Sequence, residues 1–207
     1  MSNPLPSPPL LLITDRRHTD LPLMEIVDQA LAAGCRWIMV REKDLGRAAL
    51  VEIAAEIVDV AVPLGARVVI NGNIDAAVEV GAPGAHVQSA AAVAQAREAL
   101  GKEALVGVSA HHISEAVLAA DCGADYATIS PVFATSSKPG YGPRIGLRGL
   151  RRICRAAPLP IIALGGLTPG NASACMEFGA AGIATMGGIM RSTDPALATG
   201  DFIDALI

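Results

Sequence analysis

From residue 10 onward, short apolar runs alternate with segments whose apolar residues recur at helical spacing. The runs at 10–14, 36–41, 67–71, 84–87, 105–109, 126–130, 160–164 and 181–185 predict strands. Helical segments fall at 23–33, 46–61 and 74–80, from a Ser89 cap to about 100, from about 112 to 122, and at 147–155, 169–178 and 195–206. Helix ends carry the phrases Ala33-Gly34, Cys122-Gly123-Ala124-Asp125 and Phe178-Gly179-Ala180-Ala181-Gly182, in which glycine supplies a left-handed cap before the next strand. The strands are near-continuously apolar, as parallel strands covered on both faces must be. Right-handed crossovers then curl eight such strand–helix units into a single (β/α)8 TIM barrel. The alternative is an open doubly wound sheet, whose usual Gly-x-Gly-x-x-Gly turn after the first strand is absent. Residues 1–9 hold four prolines and no hydrophobic period, and are read as a tail outside a barrel domain spanning 10–207.

A length of 207 residues suits one such domain. Apolar residues make up 52% of the chain and aromatics only 3%, so close helix-to-sheet packing is expected rather than an aromatic binding surface. The net charge of −4 is spread over both signs, which leaves no basic stripe for nucleic acid. No apolar run reaches the roughly 18 residues of a membrane span, and the start lacks a basic segment followed by an apolar signal core; a cytoplasmic protein without membrane contact is expected. Cys35, Cys122, Cys154 and Cys175 have no paired metal-ligand spacing and read as buried or semi-buried thiols. Apolar positions on the outer helices suit either packing or a homodimer.

In a barrel of this kind, polar residues at the C-terminal ends of strands face the active site. They are Asp15 and Arg16 after the first strand, Arg41, Glu42 and Lys43 after the second and Asn71 after the third. His86 ends the fourth, Ser109 and His111 follow the fifth, and Ser130 ends the sixth. Arg41 points inward if Met39 does, and two cations flanking a carboxylate can bind an anionic substrate. Gly165-Gly166 after strand seven and Gly187-Gly188 after strand eight permit close backbone approach. N–H groups opening a short helix after strand eight can hold a phosphate; tight turns alone are the bland reading. The stretch 131–146, with Thr135 and Lys138, is long enough for a lid over an anion, or for a plain surface loop. Of His111 and His112 only one faces the pocket, where it can carry protons near neutral pH. No nucleophile elbow, paired catalytic carboxylates or metal-ligand cluster emerges, so metal-free proton transfer is the simplest chemistry.

Several phrases together carry a resemblance: Ile13-Thr14-Asp15, Val40-Arg41-Glu42-Lys43, Val106-Gly107-Val108-Ser109, Gly123-Ala124-Asp125-Tyr126, the run from Pro131 to Lys138, Ile162-Ala163-Leu164-Gly165-Gly166 and Gly179-Ala180-Ala181-Gly182-Ile183-Ala184. Over nearly its full length the chain resembles the thiamine phosphate synthase and thiazole tautomerase superfamily. The resemblance implies a thiamine-biosynthesis enzyme whose small-molecule partner is a thiazole phosphate. The synthase pattern has Asn-Asp after strand three and a further Asp after the strand-four His, both for Mg2+; here Gly72 and Ala91 stand in those places, and Met39 replaces a Gln. The tautomerase pattern shares Asn-Gly and Ser-x-His, matched by Asn71-Gly72 and Ser109-Ala110-His111. The expected activity is therefore a metal-independent thiazole tautomerase without cofactor. In it His111 shuttles the proton that aromatises a carboxylated thiazole phosphate tautomer, Gly165, Gly166, Gly187 and Gly188 hold the phosphate, and Arg41 or Lys138 attracts the carboxylate. The alternative is thiamine phosphate synthase, needing Mg2+, in which Arg41, Lys43, Asn71, Thr135 and Lys138 surround diphosphate. A second alternative is a noncatalytic sensor of a phosphate ligand.

Overall fold

A computed structural model describes residues 4–135 and 143–207. Eight parallel strands close into a barrel in chain order: β1 Leu10–Ile13, β2 Trp37–Val40, β3 Arg67–Asn71, β4 Gly84–Val87, β5 Leu105–Ala110, β6 Tyr126–Ile129, β7 Ile161–Leu164 and β8 Gly182–Thr185. The pairing of β8 with β1, Leu11 opposite Ala184, is the closure that an open sheet lacks. Helices cover the outside: α1 Leu23–Ala32, α2 Arg47–Ala61, α3 Ile74–Glu79, α4 Ala90–Leu100, α5 Ile113–Asp121, α6 Gly146–Ala156, α7 Pro169–Glu177, the single-turn α8 Gly187–Met190 and α9 Pro195–Asp204. The expected barrel is the observed one, with ends shifted by one or two residues. Strand one stops at Ile13 because the Thr14 hydroxyl accepts the Arg41 N–H at 2.9 Å instead of extending the strand.

Alternation along each strand divides the core in two. Leu10, Leu12, Ile38, Val40, Val106, Val108, Ile183 and their equivalents face the helices, while Leu11, Ile13, Trp37, Met39, Val69, Leu105, Tyr126, Ile162 and Ala184 fill the barrel interior. Trp37 and Tyr126 meet edge to face, with ring centroids 4.7 Å apart. The Tyr126 ring fits only because its register neighbour on β5 is Gly107, where a Cβ would lie 2.0 Å from the ring. Ahead of β1, the Pro9 carbonyl accepts the Ile183 N–H at 3.0 Å, and Leu5 packs on the interior cluster. All four cysteines are free thiols, and burial pushes Cys154 and Cys175 up to about 11. Among the described residues no helix is long and apolar enough to cross a membrane.

Candidate active site

The inward parity of the strands continues past their C-terminal ends, and so chooses which polar side chains line the mouth. Arg41, two residues beyond the buried Met39, is half-buried, with its guanidinium 3.6 Å from Asp15. Asp15 also holds His18 at 3.0 Å, and Asp44 receives both terminal nitrogens of Arg16 at 2.8 and 2.9 Å. A recess of about 210 Å3 opens between Asp15, Arg17, His18, Arg41, Lys43, Asp44 and Met186. The structure thus brings Arg41 and Lys43 together beside Met186, the residue that opens the Gly187-Gly188 turn. Glu42, by contrast, turns away from the recess. It is 4% exposed, both its oxygens accept the Arg16 N–H, and burial raises its pKa above the ordinary carboxylate value.

Across the mouth, the Asn71 Oδ1 accepts from Gln88 Nε2 at 3.3 Å, and Ser109 stands over His86, a strand-end residue singled out in the sequence, whose buried partner Tyr126 was not. His86 is enclosed, with its ring nitrogens 3.1 Å from the Tyr126 hydroxyl and 3.0 Å from Ser109 Oγ. Burial disfavours the imidazolium and lowers the His86 pKa to about 3, so the ring is neutral. His111 is exposed at the rim, its Nδ1 3.2 Å from the Ser130 carbonyl, and its backbone N–H donates to Glu115 at 2.6 Å. Both it and His112, contrary to the expectation that only one of the two would face a pocket, line a recess with Ser130, Pro131, Arg144 and Arg152, separate from the one that holds Arg41.

The paired glycines have a packing reason that their sequence did not reveal. A Cβ on Gly166, whose φ is +68°, would lie 2.1 Å from the Ala134 carbonyl, and one on Gly165 would lie 2.9 Å from Pro131 Cα. Val132 and Phe133 donate to the Leu164 and Gly165 carbonyls at 2.9 and 3.0 Å, so the base of the loop after β6, from Pro131 to Ala134, is docked on this turn, with Thr135 the next residue along. A Cβ on Gly188 would strike Phe202 at 2.8 Å; only Gly187 has room, beside Arg191. Close approach of a ligand is therefore not needed to explain three of the four. The amides of Gly166, Gly187 and Gly188 nonetheless donate to no acceptor among the described residues, which leaves them open to an anion. Arg191, one helical turn after Gly187, adds a cation there that helical spacing in the sequence could have suggested. Lys138 lies outside the described residues.

Magnesium does not fit the places the resemblance assigns to it. Gly72 and Ala91 offer no carboxylate, the Asn71 oxygen is already bonded to Gln88, and among the described residues no three His, Cys, Asp or Glu side chains converge as a metal site.

Comparison with known proteins agrees on one family. The profile described as thiamine monophosphate synthase matches residues 10–189. A putative thiamine-phosphate synthase of Geobacter sulfurreducens is 38% identical over 90% of this chain and 88% of its own length. The thiamine-phosphate synthase of Roseiflexus castenholzii is 33% identical over 99% of this chain and 92% of its own. The thiamine biosynthesis bifunctional protein ThiM/ThiE of Symbiobacterium thermophilum is 39% identical over 87% of this chain, which spans 38% of that longer protein. Among solved structures, thiamine phosphate pyrophosphorylase of Pyrococcus furiosus superposes with a TM-score of 0.83 at 29% identity, covering 95% of this chain and 94% of that one. These names favour the transferase alternative over the tautomerase expected from Asn71-Gly72 and His111.

Proposed function

The chain belongs to the thiamine monophosphate synthase family, and on that premise we propose that it is a transferase of thiamine biosynthesis that joins a pyrimidine diphosphate to a thiazole phosphate and releases diphosphate. One observation carries the reading: two anion-receptive features adjoin at Met186. The unbonded amides of Gly166, Gly187 and Gly188 suit a monophosphate, and Arg41 and Lys43 line a recess suited to a more highly charged group. As the new bond between the two rings forms, the bond to diphosphate breaks and the leaving group takes the electron pair. Negative charge then grows on the diphosphate oxygens, where fixed cations lower the barrier. Arg41 and Lys43 supply that charge, Asn71 and Thr135 add polar contacts, and Lys138 is the further cation of the same set. Ser109 donates a hydrogen bond from the opposite wall. Without a carboxylate pair at 72 and 91, the neutralisation falls to these side chains.

That same lack of carboxylates favours a second reading. A tautomerase needs only a held substrate and a proton carrier, and His111 at the rim, two residues beyond Ser109, could serve. One assay separates the two. The protein is given both substrates with Mg2+ or with EDTA, diphosphate and the coupled product are measured, and the carboxylated thiazole phosphate tautomer is tested alone. Equal release of diphosphate and product, reduced about a hundredfold in Arg41→Ala, is the expected result. Absence of diphosphate release with chelator-resistant aromatisation, lost in His111→Ala, would replace the transferase with the tautomerase. Binding without either turnover would leave a sensor.

A further inference from the structure

Three neighbouring strands set His86, Gly107 and Tyr126 side by side, His86 opposite Gly107 and Gly107 opposite Tyr126. Because glycine leaves the middle position empty, the Tyr126 hydroxyl reaches His86 Nδ1 at 3.1 Å across the interior. The other ring nitrogen, Nε2, lies 3.0 Å from Ser109 Oγ and 3.5 Å from Thr128 Oγ1, one step nearer the mouth. Tyr126 is wholly buried, and among the described residues its hydroxyl meets only His86. Were it to accept from an Nδ1–H, its own O–H would be an orphaned donor in apolar surroundings beside Trp37. When it donates, only a lone pair goes unused, which costs less. The neutral ring has one N–H, so an Nδ1 that accepts leaves the proton on Nε2. Ser109 is half-buried and, among the described residues, has no other partner for its hydroxyl.

We infer that Tyr126 and His86 are positioning residues that set the polarity of the Ser109 hydroxyl: Tyr126 donates to Nδ1, Nε2–H donates to Ser109 Oγ, and Ser109 turns its proton toward the mouth. Ser109 is then a fixed donor for an anionic oxygen or an acceptor nitrogen of substrate. It is not a nucleophile activated by histidine, which would need the proton flow reversed. The inference rests on the proposed function in one respect only, that the mouth is the substrate site.

Long-range proton–nitrogen correlation spectra of the His86 ring in 15N-labelled protein show which nitrogen is protonated, whether or not the protein turns over. Wild type is expected to hold its proton on Nε2, and Tyr126→Phe to lose that preference. Affinity for inorganic pyrophosphate, by calorimetry, falls about tenfold in Ser109→Ala and by a similar factor in Tyr126→Phe. The double variant is no weaker than Ser109→Ala, because both changes remove one interaction. His86→Gln, which keeps a donor where Nε2–H stood, retains most of the affinity, whereas His86→Leu does not. A wild-type proton on Nδ1 overturns the inference, and so does pyrophosphate affinity that Ser109→Ala or Tyr126→Phe leaves intact. If neither substrate set is turned over, the transferase reading fails while the ring spectra still decide the direction of the protons.

Discussion

Burial of His86 makes stability depend on pH. The unfolded imidazole takes up a proton below its ordinary value of 6.5, whereas the folded ring stays neutral until about 3. Between those values the unfolded state binds more protons, so stability rises with pH and is lost on acidification. From pH 6.5 to 5 the expected loss is about 1.6 kcal/mol, read from urea midpoints, and His86→Gln flattens the slope. A wild-type midpoint constant over that interval would mean that the folded ring protonates freely. At this scale the sequence was legible where one strand supplied the answer: the parity of Met39 foretold the inward turn of Arg41, and strand ends located Ser109 and Asn71. The Tyr126–His86–Ser109 group was not legible. Its members are 40 and 23 residues apart along the chain, joined only by register across three strands and by the missing side chain of Gly107.

Between elements, single side chains tie the helices and loops to the barrel, and these contacts had no local signature. Arg97 on α4 donates to the carbonyls of Gly101, Lys102, Ala104 and Gly123 and to Asp125 at 2.8 Å, while the same buried carboxylate accepts the Val106 N–H on β5. Arg97→Ala removes the cation beside the buried Asp125 carboxylate, which keeps the Val106 N–H, with an expected loss of about 3 kcal/mol in chemical denaturation. A loss no larger than that of an exposed ion pair would show that water replaces the guanidinium. The turn after β7 behaves likewise. Its Gly165-Gly166 pair was visible in the sequence as an anion cradle, but the close approach it permits is that of the Pro131–Ala134 backbone. Gly166→Ala must therefore displace the loop as well as strain a left-handed residue, at an expected cost of about 2 kcal/mol. It should raise KM for the thiazole phosphate, since the turn moves with the loop. An unchanged KM would separate the turn from the phosphate site.

For the whole molecule, hydrophobic period alone carried the architecture, because each strand buried on both faces and each one-sided helix declares itself locally and eight repeats leave little choice of topology. Function was less legible, since substitutions at Gly72 and Ala91 pointed away from the synthase while the rest of the chain belongs with that family. Fold and phosphate cradle serve many chemistries, and only the charge arranged at the mouth distinguishes them. That charge can be edited. Gly72 has φ +75°, a conformation aspartate tolerates better than most side chains, and a Cβ there would meet the Gln88 amide at an ordinary 3.5 Å. Ala91 is exposed in the first turn of α4, where an acidic side chain complements the helix dipole. Because β3 and β4 are adjacent, with Asn71 opposite His86, aspartates at 72 and 91 approach the same rim. Wild type is expected to show no thermal stabilisation by Mg2+. The Gly72→Asp, Ala91→Asp double variant should gain about 1.4 kcal/mol when Mg2+ stands tenfold above its Kd, together with Mg2+-stimulated release of diphosphate. Equal stabilisation of wild type would show that it already holds the ion through other groups, and Arg41 and Lys43 would then no longer bear the neutralisation of the leaving group.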